Sequence, residues 1–179
     1  MVHQEPAKPV SQFLPRHLVW AVVALPGLGA TILAIGLIAL YADVKPVRIE
    51  GQAMMPTLRN GDRVFMDRNP DQLERGDIIV FYFPLDTTKS YIKRIVGLPG
   101  ETLMIEEGKI FINGKQIEEP YLDAEFLAQD SLPAPVKIPD GHYFVLGDNR
   151  RNSSDSRYWG TVSRDLVYGK YWFRYWESQ

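Results

Sequence analysis

Asp77-Ile78-Ile79-Val80-Phe81-Tyr82-Phe83, closed by Pro84, is a dense β-branched and aromatic run that reads as a strand. Downstream, residues 91–96 alternate and stop at the turn Gly97-Leu98-Pro99-Gly100. Leu103-Met104-Ile105-Glu106, Lys109-Ile110-Phe111-Ile112 and Lys115-Gln116-Ile117 form an expected meander, joined by Glu107-Gly108 and Asn113-Gly114. Residues 120–139 are irregular, with one short helix expected over 122–129. His142-Tyr143-Phe144-Val145-Leu146 returns to strand, and residues 166–175 supply the last one. Upstream, Val47-Arg48-Ile49-Glu50 starts a strand-like alternation, and Asn60-Gly61 turns the chain into a strand ending at Met66. Many short strands separated by turns predict an all-β fold, mainly an antiparallel barrel or sandwich. The strand order is not readable, and there is no internal repeat.

The chain has 179 residues, enough for one domain with a real core plus an appendage. Its 20 basic and 22 acidic side chains leave a net charge of -2, which gives no reason to expect a nucleic-acid partner. With no cysteine, disulfides, thiolate metal sites and cysteine nucleophiles are all excluded. His3, His17 and His142 are scattered, so a histidine triad or His-rich metal site is poorly supplied, and no metal or other cofactor is expected. A nucleophile here would need lysine or a carboxylate as its base.

Residues 18–41 carry no charge and are long enough to span a hydrocarbon core of about 30 Å as a helix. Pro26, Gly27 and Gly29 inside the segment are tolerated in a lipid-embedded helix. The alternative is a cleaved secretory signal ending near Leu40-Tyr41-Ala42. The expected division is a tail over 1–17, one transmembrane anchor over 18–41 and a β-rich domain over 42–179.

Within the alternating strand, Tyr91, Lys93 and Ile95 share one face and Arg94 points to the other. An inward lysine beside apolar side chains is what a lysine general base needs, because burial must lower its pKa by several units from about 10.4. Taken alone, an Ile-Lys-Arg triplet reads as a surface lysine paired with a carboxylate. In Gly51-Gln52-Ala53-Met54-Met55-Pro56-Thr57-Leu58, Gly51 permits unusual backbone angles and Pro56 disfavours helix before it. The expected loop is stiff and extended, presenting residue 53 with its N–H aimed at a developing oxyanion. The third segment, Gly147-Asp148-Asn149-Arg150-Arg151-Asn152-Ser153-Ser154-Asp155-Ser156-Arg157-Tyr158-Trp159-Gly160, reads in isolation as a polar, Asx-rich loop.

In order and spacing, these three segments resemble the sequence boxes of the bacterial type I signal peptidases, membrane-anchored serine endopeptidases with a Ser-Lys dyad. The resemblance covers the anchor and residues 49–176. It implies that Ala53 stands at the nucleophile position, which is serine in the family, that Lys93 is the general base, and that Ser153 orients the lysine by a hydrogen bond. Gly51, Ala53, Met54 and Tyr91 would line the oxyanion and substrate cleft, with Pro56, Asp148, Asp155 and Arg157 in structural support and Asp155–Arg157 as an ion pair. The implied partners are signal peptides of secretory preproteins, the lipid bilayer and the secretion machinery. The implied location is the cytoplasmic membrane, single-pass, with the N-terminus cytoplasmic and the main domain outside.

With alanine at 53, the chain is expected to bind such peptides without cutting them, whereas serine there would restore cleavage. Loss of the nucleophile of a hydrolytic site costs on the order of 10⁶ in rate. Either serine was replaced by design, or this is a natural non-catalytic paralogue acting as a membrane-tethered signal-peptide-binding or secretion-complex scaffold. A self-cleaving repressor-type peptidase shares the chemistry, but the membrane segment argues against it. The aromatic run Tyr168-Gly169-Lys170-Tyr171-Trp172-Phe173-Arg174-Tyr175-Trp176 fits either a core strand or a lipid-docking one.

Overall fold

The computed structural model describes residues 44–178 except residue 69. Its strands are β1 (Val44–Arg48), β2 (Arg63–Asp67), β3 (Ile78–Phe83), β4 (Asp86–Gly97), β5 (Thr102–Glu106), β6 (Lys109–Ile112), β7 (Lys115–Gln116), β8 (Val136–Lys137), β9 (His142–Leu146), β10 (Val162–Ser163) and β11 (Val167–Trp176). Among the described residues the one α-helical turn, α1 (Ser156–Trp159), begins at Asp155, whose side chain accepts from the Arg157 N–H as an N-cap. The larger sheet has the order β1-β2-β11-β3-β4-β9-β10 and the smaller one β7-β6-β5-β8. All the pairings within them are antiparallel.

β3 is apolar on both faces because both are covered. Ile78 and Val80 pack with Ile49, Met54, Leu58, Val64 and Met66. Ile79 and Phe81 pack on the other side with Ile95, Tyr143, Val145, Val162 and Val167. The small sheet closes a third cluster by laying Leu103, Ile105, Ile110 and Ile112 against Val96, Phe144 and Leu146. Its two tight turns have positive φ at both central residues, at Glu107-Gly108 and Asn113-Gly114, the geometry that two-residue hairpins favour.

Several sequence expectations are corrected. Residues 122–129 hold no α-helix, only the 3-10 turn Ala124–Phe126. Backbone carbonyls there serve tertiary partners instead: Arg151 donates to the Leu127 carbonyl and the Gly108 N–H to that of Asp130. β1 begins at Val44 and includes Pro46, which an edge strand accommodates. β4 starts at Asp86 because its polar first half, which lacks an apolar alternation, still pairs with β3. The loop at residues 51–58 is a succession of turns rather than extended chain, with the Met55 N–H donating to the Gln52 carbonyl and that of Leu58 to Met54. The Met55–Pro56 peptide is cis.

Among the described residues no helix is long and apolar enough to cross a membrane. The segment 18–41, expected to be the anchor, and the tail before it lie outside the described residues.

Candidate active site

β4 is central to the site. Its register sets Lys93 opposite Ile79 and Arg94 opposite both Ile78 and Leu146. The strand alternation therefore sends the two cations to different places, as the sequence predicts. Lys93 is 5% exposed, and its Nζ lies 5.2 Å from the centre of the Tyr91 ring and donates to the Ile92 carbonyl at 3.0 Å. Burial lowers its pKa from 10.5 to about 8, against the opposing pull of the Asp155 and Asp148 carboxylates. A neutral amine is therefore accessible to this side chain near neutral pH.

Lys93 and Tyr91 line a cleft of about 440 Å³, together with Gly51, Ala53, Met54 and Ser154. Its second wall is the chain leaving β1, from Val47 to Gly51. Gly51 has φ of 88°, a left-handed conformation that disfavours any side chain, and its N–H donates to Asn60 Oδ1 at 2.9 Å. Met54 is buried at the base of the loop, so its side chain both packs in the core and faces the cleft.

The loop carrying Ala53 is tied to the segment after β9. The Asn149 N–H donates to the Ala53 carbonyl at 2.9 Å, and Asn149 Nδ2 to the Gln52 carbonyl at 3.3 Å. Gly147 sits where these strands of chain meet, and a Cβ there would overlap both Ser153 Oγ and the Ala53 carbonyl. Ser153 is thus beside Ala53, but its buried Oγ has no hydrogen-bond partner among the described residues. The hydrogen bond expected from Ser153 to Lys93 is not formed in this arrangement, and Ser154 rather than Ser153 lines the cleft.

Two buried carboxylates brace the site. Asp155 pairs with Arg157 at 2.7 Å, the ion pair expected from the sequence, and its other oxygen accepts from the Gly147 N–H. Asp148 is held in a bidentate fork by Arg94, at 2.8 and 2.6 Å, and accepts from Thr57 Oγ1 at 2.5 Å. Arg94 escaped the sequence reading as a site residue. The available signal was its place on the strand face opposite Lys93, but nothing in the sequence names Asp148 as its partner. Thr57 is also held from behind, where Arg174 of β11 donates to its carbonyl at 3.3 Å and to Asp62 at 3.0 Å. Among the described residues, no group of three or more His, Asp or Glu side chains is placed to hold a metal ion.

The C-terminal strand also leaves an exposed aromatic surface. Trp172, Phe173, Tyr175 and Trp176 are all at least 41% exposed. They come in consecutive pairs and not in strict alternation, because β11 shifts register against β2 between Tyr171 and Phe173 and again between Arg174 and Trp176.

Comparison with known proteins identifies relatives of this chain. The family described as signal peptidase, peptidase S26, matches residues 19–176. The probable signal peptidase I-2 of Synechocystis sp. is 38% identical over 171 residues, covering 90% of this chain and 76% of that protein. Signal peptidase I T of Bacillus subtilis is 39% identical over 137 residues, covering 70% of each. A solved signal peptidase I from Enterococcus faecalis V583 is 34% identical, covers 55% of this chain and 96% of that one, and superposes with a TM-score of 0.48.

Proposed function

The chain belongs to the signal peptidase family S26, and from that premise we propose that it binds the signal peptides of secretory preproteins in the cleft between β1 and β4. The observation that carries this reading is Lys93: a buried amine, its pKa lowered to about 8, opening on the same cleft as Ala53. A lysine with those properties can take a proton from a hydroxyl at residue 53.

With serine at 53, neutral Lys93 would accept the Oγ proton as the oxygen attacks the scissile carbonyl. The backbone N–H of residue 53 would face the developing oxyanion. Lys93 would then protonate the leaving amine, and water, losing its proton to the same lysine, would hydrolyse the acyl-enzyme. Alanine supplies no such oxygen. As it stands, the chain captures a signal peptide and leaves it intact. Ser153, whose Oγ has no hydrogen-bond partner among the described residues, would hold Nζ once substrate binds. Asp148, Asp155 and Arg157 keep the two loops in register, and Pro56 fixes the turn.

The same reading assigns residues 18–41 as the membrane anchor, residues 1–17 to the cytoplasm and residues 42–179 to the far side, with the lipid bilayer and the secretion machinery as neighbours. The exposed aromatic end of β11 supports contact with the lipid interface, where amphipathic rings are favoured. The test compares the chain as given with Ala53→Ser on one preprotein. Binding by both and cleavage only by Ala53→Ser is expected. Cleavage by the unmodified chain, or binding by neither, refutes the proposal.

A further inference from the structure

The irregular segment between β7 and β8 is bound to the site by arginines of the loop after β9. Arg150 forks onto Glu119, at 3.1 and 2.5 Å. Arg151 Nε donates to the Leu127 carbonyl at 2.6 Å, and Arg157 Nη1 to Asp130 at 2.7 Å. Arg150 is only 5% exposed, and the Glu119 and Arg157 side chains are nearly as deeply placed. A mere spacer between strands has no need of a buried charge pair such as Arg150–Glu119, which is costly to desolvate.

What this strap brings to the site is Tyr121. Its hydroxyl donates to Glu119 Oε1 at 2.5 Å, and its ring lies 3.9 Å from the Arg94 guanidinium carbon. Each nitrogen of that guanidinium is already engaged: Nε and Nη2 bond Asp148, Nη1 bonds the Gly76 carbonyl at 2.8 Å, and Nη2 also reaches Thr57 Oγ1 at 3.3 Å. Tyr121 covers the flat face of Arg94. An aromatic face over a desolvated guanidinium is attractive and excludes water from the ion pair beneath. Burial, with Glu119 alongside, keeps the Tyr121 phenol protonated well above its ordinary range, so it remains a donor.

The chain of contacts then runs from Glu119 to Tyr121, Arg94, Asp148 and Thr57, and ends in the turn that presents residue 53. We propose that Tyr121 and Glu119 are positioning residues for the nucleophile loop, acting by sealing and aligning the Arg94–Asp148 pair. The strap between β7 and β8 is thereby part of the active-site framework. Neither residue touches the cleft, so their effect falls on how residue 53 is presented and not on how peptide is held.

This inference rests on the signal-peptide reading for its kinetic arm only. In full-length Ala53→Ser protein, Tyr121→Leu is expected to lower kcat about tenfold and change KM by less than about twofold. Tyr121→Phe, which keeps the ring, should recover kcat to within about threefold. In the unmodified chain, Tyr121→Leu should speed hydrogen exchange of the Asn149 and Leu58 amides, which bond the Ala53 and Met54 carbonyls, about tenfold. The Ile117 amide, bonded to Ile110 in the small sheet, should exchange as before. An unchanged kcat, a Phe variant as impaired as Leu, or exchange that rises equally at Ile117 would overturn the proposal. If Ala53→Ser does not cleave, the functional reading fails and the exchange arm still decides on Tyr121. If Tyr121→Leu does not fold, Glu119→Gln keeps the shape, weakens both charged bonds and is read by the same two arms.

Discussion

Replacing Lys93 by methionine tests the electrostatic core of the site without requiring any catalysis. The lysine's pKa is about 8 in the folded chain against 10.5 in the unfolded one, so the fold disfavours its protonated form. The sign follows from proton counts. Between those two values the unfolded chain holds a proton that the folded one has released, so stability rises with pH across that window. Below about pH 8 both states are protonated and the fold carries the whole burden, about 3 kcal/mol at pH 7. It falls to about 2 kcal/mol at pH 9 and vanishes near pH 11. Methionine has similar length, carries no charge and gives up only the hydrogen bond to the Ile92 carbonyl and the contact with Tyr91. Lys93→Met should therefore melt on the order of 10 °C higher at pH 7, with the gap closing as pH climbs from about 8 to about 11. Thermal melts of the full chain in detergent, followed across that range, read it directly. A methionine variant that is less stable at neutral pH, or a gap that does not change with pH, would refute the account of Lys93 as a desolvated base.

Ala53→Ser should cleave preprotein with a rate that climbs through about pH 8 as Lys93 releases its proton, whereas the unmodified chain stays inactive; a pH–rate profile of both checks this. Asp148→Ala strands Arg94 in the interior and should cost about 3–5 kcal/mol, read from denaturant midpoints. Trp172→Ser with Trp176→Ser should weaken vesicle binding of the domain at residues 42–179 while leaving its melting temperature within a few degrees, since both rings are more than half exposed; unaltered vesicle sedimentation would remove the lipid role from β11.

The legible parts of this fold were those in which local chemistry settles the structure. β3 declares itself because a strand covered on both faces must be apolar throughout, and the two small hairpins because Glu107-Gly108 and Asn113-Gly114 accept positive φ. The opposite orientations of Lys93 and Arg94 follow from pleating alone. The partners of Arg94 did not: Asp148 reaches it through the pairing of β4 with β9, and Tyr121 through the strap that Arg150 ties down at Glu119, both far from it in sequence. The polar half of β4 and the strap at 118–135 were illegible for a related reason. Their conformation is fixed by long-range hydrogen bonds that no local periodicity records. In the loop at residue 53, the restriction from proline was read as extension, whereas the Gln52 and Met54 carbonyls close turns around it.

The last regular strand of the chain, β11, is inserted between β2 and β3, two strands that precede it by about a hundred residues. Until it arrives, β1 with β2 and β3 with β4 are separate hairpin halves, each holding one wall of the cleft. Arg174 and Ser178 then fasten Asp62, and Arg174 fastens Thr57, so β11 and the residues just after it also lock the turn that carries residue 53. A chain cut before β11 is expected to lack the groove, because the strand that joins its two walls is missing. Losing β11 removes a keystone, although Tyr168 alone of its residues lines the cleft.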